Sequence, residues 1–158
     1  MKIEQKDTVA QNEHVAEVLN DLLKINNDRV EGYKKAAKET EETDLKAVFE
    51  SMQTESRRIA SALTNEVTKL GGEADTDSTT NAGKIYRAWM EVKATFNGKD
   101  RKGVLKACEF GEDAAQSAYR SALADPELPA NLRAMIKGQQ IQLKISHDTI
   151  KGLRDTAA

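Results

Sequence analysis

The sequence predicts an all-α fold: a four-helix bundle of two antiparallel helical hairpins, with an additional helix in the long crossover between them. Three observations carry this. Apolar residues recur at steps of three and four along four long segments. The breaks inside each pair of segments are short, whereas residues 72–98 separate the pairs with a long connection that is itself mostly helical in pattern. Two prolines and few aromatic residues, in a chain rich in Ala, Glu, Lys, Leu and Gln, suit helices.

The first helix is expected over about 13–38, on Val15, Val18, Leu19, Leu22, Ile25, Val30, Tyr33 and Ala37. Residues 1–12 are polar and expected to be flexible, with His14 solvated at the frayed start. Glu41-Glu42-Thr43 makes a short turn, with Thr43 or Asp44 as the N-cap. The second helix carries Leu45, Val48, Phe49, Met52, Ile59, Leu63, Val67 and Leu70, and Gly71-Gly72 ends it. A polar loop leads to a shorter helix over about 80–96, with Ile85, Trp89, Val92 and Phe96 on one side. Its length, roughly 25 Å at 1.5 Å per residue, carries the chain from one end of a bundle to the other. Asn97-Gly98 stops it and Asp100 caps the next helix.

The fourth helix is lined by Val104, Ala107, Cys108, Gly111, Ala115, Ala118, Tyr119 and Ala122, small residues that let a neighbour approach closely. Asp125-Pro126 breaks the chain and Pro129 suits the first turn of the last helix. That helix buries Leu132, Met135, Ile136, Leu143, Ile150 and Leu153. Short loops make each hairpin antiparallel, and the spanning crossover makes the second and fourth helices parallel.

The chain of 158 residues suffices for one domain, 1–158, with a sizeable core. Its net charge is −2, with no basic block for nucleic acid and no run apolar enough for a membrane. A polar N-terminus and a single cysteine, Cys108, lead to an expected cytoplasmic location. Phosphate loops, zinc spacings and Ser-His-Asp sets are not visible.

At about 100° per residue, Asn26 and Tyr33 fall inside the apolar stripe of the first helix, with Arg29 at its edge. Glu31 points to the opposite side. Glu55 and Glu66 flank the second stripe. Glu112 flanks and Tyr119 centres the fourth. His147 points inward on the last helix, with Gln139 and Gln140 to either side. Tyr86 and Met90 lie round from Trp89 on the crossover helix, where an oligomer contact is one expectation.

These positions carry a resemblance. Bacterioferritin-like di-iron proteins place a Glu seven residues before a Tyr on the first and third bundle helices, and Glu-x-x-His on the second and fourth. Here the matching runs are Asn26-x6-Tyr33, Glu55-Ser-Arg-Arg58, Glu112-x6-Tyr119 and Lys144-Ile-Ser-His147. Glu55, Glu112 and His147 keep ligand chemistry, whereas Asn26, Arg58 and Lys144 replace the other three. A closer resemblance is to a bacterial family of unknown function with a ferritin-like four-helix bundle, through LNDLLKINNDRVEGYKKAA, LTNEVTKLGGE, GKIYRAWMEVKATF and CEFGEDAAQSAY. The likeness covers roughly residues 15–153 and implies the ferritin-like fold.

Two functional readings follow. In the first, the chain is a non-catalytic ferritin-like bundle without a cofactor, a homo-oligomer with a structural or interaction role. A stress-related role is an expectation by analogy alone. In the second, the chain is a metal-binding ferritin-like protein or oxidase in which Glu55, Glu112 and His147 bind iron, manganese or zinc in an altered site.

Overall fold

The structure, a computed structural model, describes residues 2–81, 83–94 and 101–157. Five helices follow in order: α1 (Lys2–Glu39), α2 (Thr43–Lys69), α3 (Gly83–Ala94), α4 (Arg101–Leu123) and α5 (Ala130–Asp155). Strands are absent among the described residues. The fold class is therefore all-α. None of these helices is long and apolar enough to cross a membrane.

Helix α1 begins at Lys2, well before residue 13. The segment ahead of Val15 lacks an apolar stripe, so periodicity gives no sign of it. Its Lys, Glu and Gln are good helix formers, and it continues a helix already nucleated by packing. Glu42, not Thr43 or Asp44, occupies the N-cap of α2, without a side-chain cap bond. The C-terminus of α2 is a Schellman motif. Gly71 adopts a left-handed φ of 82°, Gly72 N–H donates to Val67 O, and Gly71 N–H donates to Thr68 O. Phe96, the Asn97-Gly98 stop and the Asp100 cap lie outside the described residues.

Cross-helix contacts fix the directions. Arg29 and Tyr33 of α1 meet Ser56 and Phe49 of α2 respectively, an antiparallel register. Asn26 meets Tyr119 and Arg29 meets Glu112, so α1 and α4 are also antiparallel. Helices α2 and α4 therefore run parallel, and the Arg101–Asp44 ion pair joins their N-terminal ends. Tyr119–Gln139 and Asp113–His147 make α5 antiparallel to α4.

Two apolar clusters fill the interior. One gathers Leu19, Leu22, Leu63, Val67, Tyr119, Leu132 and Ile136. The other, at the opposite end, gathers Tyr33, Phe49, Trp89, Val92, Leu105, Cys108 and Ile150. Helix α3 supplies Trp89, which is fully buried against α1 and α4. Its ring fits because Gly32 and Gly111 have no side chains: a Cβ would lie 2.5 Å and 3.0 Å from it. Close packing is thus the reason for Gly111 in mid-helix. Glu31 is exposed, as the helical wheel requires.

Candidate functional site

Between the two apolar clusters lies a layer of buried polar side chains: Asn26, Arg29, Ser56, Glu112 and Gln139. Arg29 is its centre. Its Nε donates to Glu112 Oε1 at 2.9 Å, and its Nη2 lies 2.8 Å from the same oxygen. Its Nη1 donates to Ser56 Oγ and lies 3.5 Å from Glu55 Oε1. Tyr33 OH donates to Glu112 Oε1 at 2.6 Å, and the Arg29 guanidinium stands 5.4 Å from the Tyr33 ring centroid. Arg29 and Glu112 are both 0% exposed.

The layer continues across the bundle. Asn26 Nδ2 donates to Tyr119 Oη at 3.0 Å, and Tyr119 OH donates to Gln139 Oε1 at 2.9 Å. Ser56 Oγ donates to Asn26 Oδ1 at 3.3 Å. Ser146 of α5 donates to Glu55 Oε1 at 2.8 Å. Glu55 is 27% exposed, at the mouth of a groove of about 330 Å³ between α2 and α5 that is also lined by Arg58, Ile59, Met135 and Gln142.

Burial opposes the charge on Arg29, but Glu112, Tyr33 and Glu55 more than offset it and raise the guanidinium above its ordinary value. Burial, and then the Glu112 carboxylate, push the Tyr33 phenol well above its usual range. Burial likewise raises Tyr119. Both tyrosines are therefore neutral donors across the physiological pH range.

The expected trio of Glu55, Glu112 and His147 is not brought together. Glu55 and Glu112 meet on Arg29, whereas His147 belongs to the outer groove between α4 and α5. Its Nε2 lies 2.6 Å from Asp113 Oδ1 and its Nδ1 3.0 Å from Asp148 Oδ1. The reason is rotational: a helical wheel gives the angle from the core, not which neighbouring helix a flanking residue meets. Arg58 and Lys144 are exposed, and Lys144 pairs with Asp148. Gln139 belongs to the layer. Gln140 does not: its backbone carbonyl accepts from Gln116 and its side chain from Lys137.

The donor set does not fit the resident di-metal centre of a bacterioferritin-like protein. A fixed guanidinium takes up one carboxylate oxygen of Glu112 and faces one of Glu55, and its charge repels a divalent ion. Both ends of the Asn26 amide are engaged, Nδ2 on Tyr119 and Oδ1 on Ser56, and a neutral amide is a weak metal ligand. Ser56 and Ser146 gave no warning in the sequence. Each lies one helical position beside a more conspicuous candidate.

His14 is not simply solvated. Its Nε2 lies 2.6 Å from Asp125 Oδ2 and 3.4 Å from Glu127 Oε2, joining α1 to the turn between α4 and α5.

Fold and site together define an all-α bundle whose polar centre is organised by a buried cation. Residues 14–125, most of the chain, match a family described as a domain of unknown function (DUF2383), and the chain belongs to that family. No curated protein matches the sequence.

Proposed function

We propose that this protein is a non-catalytic ferritin-like bundle with a structural or interaction role, its interior closed by an arginine in place of a metal centre. Parallel α2 and α4 joined by a crossover containing α3 support the ferritin-like reading. The single observation that carries the functional reading is Arg29, fully buried on Glu112 and beside Glu55. Such a layer gives the two hairpins one register, because any slip leaves charges buried and unpaired.

The same reading includes self-association and a cytoplasmic location. Tyr86 and Met90 are exposed on α3, roughly 60–100° round the helix from the buried Trp89. Light scattering after size exclusion tests this part: a mass above 17.4 kDa that falls in Y86S/M90S is expected.

Iron oxidation tests the central claim. Protein mixed with Fe(II) should oxidise it no faster than buffer alone. Rapid oxidation abolished by E112Q would overturn the reading.

A further inference from the structure

We propose that His14, Asp125 and Glu127 form a binding site for a divalent transition metal of the zinc class, clasping α1 to the α4–α5 turn. His14 lies more than a hundred residues from Asp125 and Glu127 in the chain, and one ligand atom from each of the three lies within 4.8 Å of the others. One nitrogen and two carboxylate oxygens suit zinc, which accepts three protein ligands and a water. The imidazole disfavours calcium and magnesium, which take oxygen ligands.

Ligand atoms of a tetrahedral zinc stand about 3.3 Å apart, given bonds of roughly 2.0–2.1 Å. His14 Nε2 and Glu127 Oε2 already stand 3.4 Å apart. The 2.6 Å between His14 Nε2 and Asp125 Oδ2 is a hydrogen bond. It opens by under 1 Å when the metal replaces the shared proton, which leaves to solvent. Asp125 is aimed beforehand, since its Oδ1 accepts from Glu127 N–H at 2.9 Å. Arg133 holds the same turn by donating to the carbonyls of Leu123, Asp125 and Leu128. Glu17, one turn along α1, adds negative potential at His14. His14 is 41% exposed and Glu127 more so, leaving an open path for the ion and its water.

The comparable group Glu109, Asp113 and His147 is the poorer site. Arg154 pairs with Glu109 there and its charge also reaches Asp113, so a cation already competes for both carboxylates.

The test uses the full-length protein, stripped with chelator and titrated with Zn2+ alone in a calorimeter. One zinc per chain and a raised Tm are expected. H14Q and E127Q should each weaken binding about tenfold or more. H147Q and E112Q should leave it unchanged. The exposed Glu127 keeps the test sound if H14Q folds poorly. No zinc binding, full affinity in both H14Q and E127Q, or loss of binding in H147Q would overturn the site. Loss in E112Q alone, with that variant still helical by circular dichroism, would place the metal in the central layer and overturn the proposed function instead.

Discussion

Arg29 and Glu112 form an ion pair fully removed from solvent, with two guanidinium nitrogens within 3 Å of one carboxylate oxygen. Its value lies in the penalty for breaking it. R29M leaves the Glu112 carboxylate buried with only the Tyr33 hydroxyl donating to it, at a cost of about 3–5 kcal/mol. The double variant R29M/E112L removes both charges and should cost clearly less than the sum of the two single changes. Urea denaturation of the four proteins measures this. Additive losses would show that the pair does not act as a unit.

This layer was only half legible in the sequence. Asn26, Tyr33 and Tyr119 fall inside apolar stripes, so their burial follows from the 3.6-residue period. Arg29 sits at the edge of its stripe, where an arginine ordinarily reaches solvent. Its burial depends on Glu112 from a helix far along the chain, and one helix's pattern cannot encode that pairing. His147 lies on Asp113 of α4 for the related reason that its angle from the core does not identify which neighbouring helix it meets. The bundle itself was legible because each hairpin's stripe and each short break act locally.

Trp89 is held by the absence of side chains at Gly32 and Gly111. G32A puts a methyl 2.5 Å from the indole, which must shift, and is expected to cost about 1–3 kcal/mol. G111A, with its nearest contact at 3.0 Å, should cost less. Trp89 is the sole tryptophan, so its fluorescence reports the site directly. A red shift in G32A is the expected sign that the ring has been pushed toward water, and an unchanged spectrum and stability would refute the wedge.

Cys108 should be inert in the folded protein. It is fully buried, and burial followed by the Glu112 carboxylate raises its thiol far above the ordinary range. Reaction with an aromatic disulfide reagent should be slow in buffer and complete in denaturant. Its native rate should rise in R29M, because a destabilised layer beside Cys108 opens more often. Labelling as fast as a free thiol in the native protein would contradict this packing.

The last prediction concerns the paired starts of α2 and α4. Arg101 Nη2 lies 2.7 Å from Asp44 Oδ2, and Arg101 Nη1 lies 3.2 Å from Glu42 Oε2. A cation at the first residue of α4 opposes that helix's dipole, and these carboxylates offset it. The hydrogen bond from Arg101 lowers Asp44 below its ordinary value of 3.8. A depressed carboxyl stabilises the folded state above its unfolded pKa and loses that contribution as pH falls through the lower folded value. The Tm difference between the natural protein and D44N should therefore be steady above pH 3.8 and shrink below it. The pair is solvent-exposed, so the difference should also shrink in 1 M salt, where the screening length is about 3 Å. Thermal melts across pH and salt check both limbs. A difference unmoved by either would mean that Asp44 acts through helix propensity and not through Arg101.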